Sequence, residues 1–164
     1  MKKLTVLCVL FAVMAGICFA DPVEGFWISM DEKTGKPTAG WEIYQQGGKL
    51  FGKILSIYEK PQTERAYKCK ESYRGFPIPG KVNEMQVVGT VWLWGLSMDR
   101  TGQWSGGNII DPDSGNMYGA RVTFRAADGG RYKTDTLEMR GSIGPLGRSQ
   151  FWTKATREGA GGLR

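Results

Sequence analysis

From Gly25 onward the chain alternates short runs of β-branched and aromatic residues with clusters of Gly, Asp, Asn, Pro and Ser, and this rhythm constrains the fold more than any other feature. Runs of that length, bounded by residues that accept turn geometry, read as strands, and no clear helical period competes with them. The first strand is expected over Gly25 to Met30 and the second over Trp41 to Gln46, after a turn at Asp31-Glu32-Lys33-Thr34-Gly35-Lys36-Pro37. Gln46-Gly47-Gly48-Lys49 then has the chemistry of a tight hairpin into Leu50 to Tyr58. Further strands are expected over Val87 to Leu96, Gln103 to Ile110, Met117 to Arg125, Arg131 to Arg140 and Gly147 to Lys154. Between them stand turns at Asp99 to Gly102, Asp111 to Asn116, Ala127 to Gly130 and Gly141 to Leu146. Eight short strands with short connections make an all-β chain, an eight-stranded antiparallel up-and-down barrel or a closely related sandwich. Glu59 to Gly80, with three prolines and no alternation, is one long loop excursion, either a lid over an end of the barrel or a surface insertion.

Ahead of the strands, Met1-Lys2-Lys3 supplies a positive start and Leu4 to Phe19 carries no charge, closing on Cys18-Phe19-Ala20 before Asp21. A basic start, a short apolar run and a small residue at its end form a signal peptide, with cleavage expected between Ala20 and Asp21. The segment is marginal for a retained span, which needs about 20 apolar residues. Lipid attachment at Cys18 is disfavoured by the bulky Ile17 before it. The expectation is a periplasmic or secreted protein with no stable membrane span after cleavage.

The chain therefore divides into residues 1–20 as signal peptide, 21–154 as a single barrel domain and 155–164 as a flexible, glycine-rich C-terminal tail. Cleavage removes Cys8 and Cys18, so Cys69 has no intramolecular disulfide partner: it is either a buried inert thiol or a link to another molecule. It also removes Lys2 and Lys3, lowering the net charge from +6 to +4. The remaining basic residues are interspersed with acidic ones, which argues for a solvated surface and against nucleic-acid binding. A weak attraction to anionic envelope polymers or lipid headgroups stays open.

Gly25-Phe26-Trp27 has the G-x-W pattern and resembles the first strand of lipocalins and their calycin relatives. That resemblance implies a tryptophan plugging the closed end of the barrel with a basic side chain of the last strand across its ring. Arg148 is the first choice for that cation and Lys154 the second. A longer resemblance runs through Gly48-Lys49-Leu50-Phe51-Gly52-Lys53-Ile54, Trp104-Ser105-Gly106-Gly107-Asn108-Ile109-Ile110-Asp111-Pro112, Arg140-Gly141-Ser142-Ile143-Gly144 and Leu146-Gly147-Arg148-Ser149-Gln150-Phe151-Trp152-Thr153. These segments are similar to the bacterial family called domain of unknown function 2147. The similarity implies a small exported lipocalin-like barrel without an assigned enzymatic activity.

Catalysis finds little support in the residues themselves. The chain has no histidine, which removes Ser-His-Asp and Cys-His arrangements and His-ligated metal sites, and Cys69 has no companion thiol. Asp111 to Asn116 superficially resembles a calcium loop, but its glycine is misplaced and no bidentate glutamate follows, so a hairpin turn is expected. Neither enzyme activity nor a cofactor nor a metal is expected. The positive hint is aromatic: Trp41, Tyr44, Tyr58, Trp92, Trp94, Trp104 and Tyr118 are the candidate barrel lining. An eight-stranded barrel is filled by side chains or holds one small ligand, and large aromatics favour filling. Two function classes stay open: a binder of a small hydrophobic or amphipathic ligand, and a structural or interaction module that meets an envelope partner through its surface.

Overall fold

A computed structural model describes residues 20–164; residues 1–19, which hold most of the expected signal peptide together with Cys8 and Cys18, lie outside the described residues. Eight antiparallel strands close on themselves in sequence order: β1 (Gly25–Met30), β2 (Pro37–Gln46), β3 (Lys49–Ile57), β4 (Val91–Arg100), β5 (Gln103–Asp111), β6 (Asn116–Arg125), β7 (Thr136–Ile143) and β8 (Leu146–Ala155). The seam is β1 against β8, with Phe26 opposite Ala155, Trp27 opposite Lys154 and Ile28 opposite Thr153. Closure satisfies the backbone groups that a free sheet edge would leave open.

Alternation of large apolar and polar residues builds the wall, and breaks in the alternation mark its corners. At Gly106, φ is +78° and the register between β5 and β6 slips by one residue, a bulge that a side chain at that angle would resist. Beside it, a Cβ on Gly107 would lie 2.3 Å from the carbonyl oxygen of Trp94, so the β4 backbone approaches as closely as it does only because Gly107 has no side chain.

Two strands start later than their apolar runs suggest. β4 begins at Val91, because the Val87 amide bonds to the Glu64 carbonyl at 2.8 Å and Gly89 turns the chain at φ +87°. β7 begins at Thr136, because Asp128 gathers the amides of Gly130 and Tyr132 into a loop, each at 2.9 Å. Beyond β8 the flexible tail expected over 155–164 is corrected. Residues Arg157–Gly161 form a helical turn, α1, capped by Thr156 and packed on β2 and β3. Ser56 Oγ donates to the Ala160 carbonyl at 2.5 Å, and a Cβ on Gly40 would lie 1.7 Å from that same oxygen. A small residue on each strand makes the seat, and the buried Ala160 fills it.

The excursion between β3 and β4 is ordered and lies against the outer wall. Its two arms pair through Arg65 opposite Gln86, with Ala66 N donating to Met85 O at 3.0 Å. Its apolar residues Tyr73, Phe76, Val82 and Val87 join the same hydrophobic cluster as the barrel interior.

Candidate functional site

The barrel interior has two halves of different character. At the closed end, Val23, Trp27, Leu50, Leu96, Trp104, Val122 and Leu137 are each 0% or 1% exposed and fill the space. Trp27 anchors this plug: its Nε1 donates to the Val23 carbonyl at 2.9 Å, and its ring meets Phe124 edge-on at 6.3 Å. Lys154 Nζ sits 4.3 Å from the Trp27 ring centroid and donates to the Glu24 carbonyl at 3.0 Å. Burial lowers the pKa of this ammonium, opposed by the Asp135 carboxylate. The glycine of G-x-W has a cause here. Gly25 takes φ +120°, and a Cβ on it would lie 2.9 Å from Lys154 Nζ.

Toward the other end the interior opens into a cup of about 750 Å³. Its base is the stacked pair Trp41 and Trp152, with ring centroids 4.7 Å apart at 25°, flanked by Ile54, Ile57, Ile109 and Met139. Both indoles have polar partners: Trp41 Nε1 donates to Ser29 Oγ at 3.1 Å and Trp152 Nε1 to Gln150 Oε1 at 3.3 Å. Tyr58 and Tyr118 complete the wall below the rim. The volume exceeds the roughly 300 Å³ at which a pocket holds a drug-sized ligand. The expected filled interior thus holds for the closed half and is corrected for the open half.

The rim is charged, and its charges tie neighbouring loops. Lys36 pairs with Glu59 at 3.3 Å, Lys60 with Asp113, and Arg148 with Glu32. Asp31 and Asp111 serve as loop caps: Asp31 Oδ1 accepts from the Thr34 amide at 2.7 Å and Asp111 Oδ2 from the Ser114 hydroxyl at 2.7 Å. Hydrogen bonds from Thr34 hold the Asp31 carboxyl below its ordinary pKa. With Glu64 also on the rim, carboxylates outnumber the cations Lys36, Lys60 and Arg148 there. The Asp111 to Asn116 segment is a β5–β6 hairpin turn.

Of the seven aromatics expected to line the barrel, Trp41, Tyr58 and Tyr118 meet at the cup. Trp104 points inward but belongs to the closed half, where its Nε1 is buried without a partner. Trp92 and Trp94 are corrected to the outer face. Leu93 between them is the inward residue, because a Cβ on Gly52 of β3 would meet Leu93 and Ile43 inside. Outside, Phe76 of the excursion packs on Trp92 at 6.0 Å and on Trp94 at 5.4 Å, and Trp92 Nε1 donates to the Val87 carbonyl at 2.8 Å. Tyr44 is also corrected to the outer face, stacked on its cross-strand partner Phe51 at 5.9 Å. Arg148, the first choice for the cation over Trp27, is at the opposite end of β8 on the cup rim; Lys154 occupies the position over the ring. Sequence reasoning missed Trp152 and Gln150, although both share the inward face of β8 with Arg148 and Lys154 by strict alternation.

A sequential eight-strand barrel, plugged by a G-x-W tryptophan under a last-strand cation and hollow at the other end, defines a lipocalin-like protein. A solved structure, protein HP1028 from Helicobacter pylori, described as belonging to the lipocalin family, superposes with a TM-score of 0.63 at 19% identity, covering 82% of this chain and 84% of that one. The model of the family "uncharacterized protein conserved in bacteria", domain of unknown function 2147, matches residues 25–154, and the chain belongs to that family. No curated protein matches the sequence.

Proposed function

We propose that the protein is an exported, non-catalytic binder of one small amphipathic molecule, held in the cup with its apolar part on Trp41 and Trp152 and its polar end at the rim. The observation that carries this reading is the open cavity of about 750 Å³ with an indole base and a charged mouth. A purely structural barrel gains nothing from leaving half its interior hollow, since filling it with side chains would add packing. The rim ion pairs are exposed and worth about 0–1 kcal/mol each, so a polar head group displaces them at little cost. The excess of carboxylates on the rim favours a cationic or neutral head over an anionic one. The base of the cup offers indoles and aliphatic side chains, which suit an apolar moiety, and the carboxylates of its lining stand toward the rim.

Native mass spectrometry of protein purified from its own envelope should find a retained small molecule. Titration with dodecyltrimethylammonium should quench tryptophan emission more strongly than titration with laurate, and Trp152→Ala should weaken both. A cup that takes up neither probe and carries no retained molecule refutes the binder and favours an envelope interaction module acting through its surface.

Export rests on residues 1–20 and fits the position of Asp21, whose backbone nitrogen lies 3.0 Å from Glu24 Oε1. A new amino terminus at Asp21 would gain that carboxylate as an ion-pair partner. Terminal sequencing of envelope protein should begin at Asp21; a chain that retains Met1 refutes the cleavage.

A further inference from the structure

The outer wall of β5 to β7 carries arginines in an arrangement that structural needs do not explain. Outward residues fall into rows across the strands: Ser105, Arg121, Arg140 and Ser149 form one, and Gln103, Thr123, Glu138 and Phe151 the next. Arg100 joins from β4 opposite Gln103, and Arg125 from the end of β6. Together Arg100, Gln103, Arg121, Thr123, Arg125, Glu138 and Arg140 line a shallow hollow of about 160 Å³.

Glu138 is the one carboxylate lining the hollow, and it is already engaged. Its Oε2 accepts from Arg125 Nη2 at 2.6 Å and Nε at 3.0 Å, and its Oε1 accepts from Ser149 Oγ at 2.9 Å. Asp99 nearby is held by Ser105 at 2.9 Å. Among the described residues no carboxylate lies within ion-pair distance of Arg100, Arg121 or Arg140. Arg121 and Arg140 face each other directly across β6 and β7, and like charges in that position destabilise a sheet. Arg140 is nonetheless accommodated: Gly147 on β8 lacks a side chain where a Cβ would lie 2.8 Å from its Nη2. Gln103 Oε1 accepts from Arg100 Nε at 3.0 Å and so orients that guanidinium at the edge of the hollow.

We propose that this hollow binds a phosphate group, with Arg121 and Arg140 as its paired guanidinium donors, Arg100 as a third and the Thr123 hydroxyl as a neutral one. Two guanidinium forks meet the geometry of phosphate oxygens, and an anion between them removes the repulsion that the empty pair carries. The site is separate from the cup, which lies inside the wall and opens at the end of the barrel with an acid-rich rim, so the molecule is electrostatically two-sided. The phosphate belongs either to a lipid headgroup or to a free phosphate, and the test separates these sources.

The purified protein is titrated with sodium phosphate, observed by NMR of the arginine Nε–Hε groups, and with phosphatidylcholine vesicles with and without phosphatidic acid. A headgroup ligand gives binding to the phosphatidic acid vesicles that millimolar phosphate only weakly displaces. A free phosphate gives saturable shifts of Arg121 and Arg140 without vesicle binding. In either case Arg121→Gln with Arg140→Gln should weaken binding at least tenfold and leave the melting temperature unchanged or higher. The charge-matched pair Lys70→Gln and Arg74→Gln, on the excursion, should leave binding intact. The proposal is overturned if neither probe binds, if the control pair weakens binding as much, or if the arginine variant melts many degrees lower.

Discussion

Replacing Trp27 and Lys154 separately and together measures how the closed end holds. Trp27 is 0% exposed, so Trp27→Ala removes a whole indole from the plug together with its 2.9 Å bond to the Val23 carbonyl. Such truncations cost about 3–5 kcal/mol, a large share of the roughly 5–15 kcal/mol available to a domain. Lys154→Met keeps the aliphatic stem and removes the charge 4.3 Å from the ring. A partly desolvated cation over an indole contributes about 0.5–2 kcal/mol, and the burial that depresses this ammonium's pKa places the net loss toward the lower end, at about 1 kcal/mol. Without the ring the cation loses its partner, so the double variant should fall short of the sum by about 0.5–1 kcal/mol. Urea unfolding followed by far-ultraviolet circular dichroism gives the four stabilities without relying on tryptophan emission. Arg148→Met, at the cup rim, should change stability by less than about 0.5 kcal/mol in the same assay. Simple additivity for Trp27 and Lys154 would refute the energetic role assigned to their contact, and a larger loss from Arg148 than from Lys154 would refute the assignment of the cation.

Gly40→Ala places a methyl 1.7 Å from the Ala160 carbonyl oxygen and should displace α1, read as faster amide exchange across residues 156–163 while the barrel strands stay protected. Cys69→Ser should cost about 1–2 kcal/mol by urea unfolding, because the thiol of this excursion residue is buried, as one of the two readings of the sequence expected. Burial also raises the pKa of that thiol, so alkylating reagents at neutral pH should label the folded protein slowly and the unfolded protein fast. Burial opposes ionisation of Glu138, but hydrogen bonds from Arg125 and Ser149 outweigh it and hold the folded pKa below the ordinary 4.5. Its contribution is therefore present above pH 4.5 and lost as pH falls through the lowered folded value, and Glu138→Gln should flatten the acid limb of a stability-against-pH curve.

Most of the barrel is legible because strand and turn are local properties. The Gly47-Gly48 hairpin, the Asp111 to Asn116 turn and the period-2 segments each carry their own chemistry, and a sequential meander with short turns has few ways to close. The two ends of the closure were legible as well, up to the choice between two cations on one strand face. That choice depends on distance along β8, which alternation does not encode: Arg148 and Lys154 share a face but sit at opposite ends of the barrel.

The errors in the site have a different physical origin. Alternation says which residues share a face, and large apolar residues say that a face is buried, but neither says what buries it. In a barrel with one covered wall, burial and the lumen are different things. Trp92 and Trp94 satisfy every sequence criterion for a lining pair, yet their cover is Phe76, more than a dozen residues upstream in a stretch without any strand or helix period. The excursion was legible as a loop but not in what it covers: by sheltering the outer wall of β4 it gave that strand apolar residues on both faces. Its placement leaves the mouth open. The residues that line the cup, Tyr58 to Lys60, Glu64 and Val87, belong to the two ends of the excursion; its body buttresses the β5–β6 turn from outside, where Tyr73 Oη donates to the Gly115 carbonyl at 2.6 Å, and only its roots border the cup.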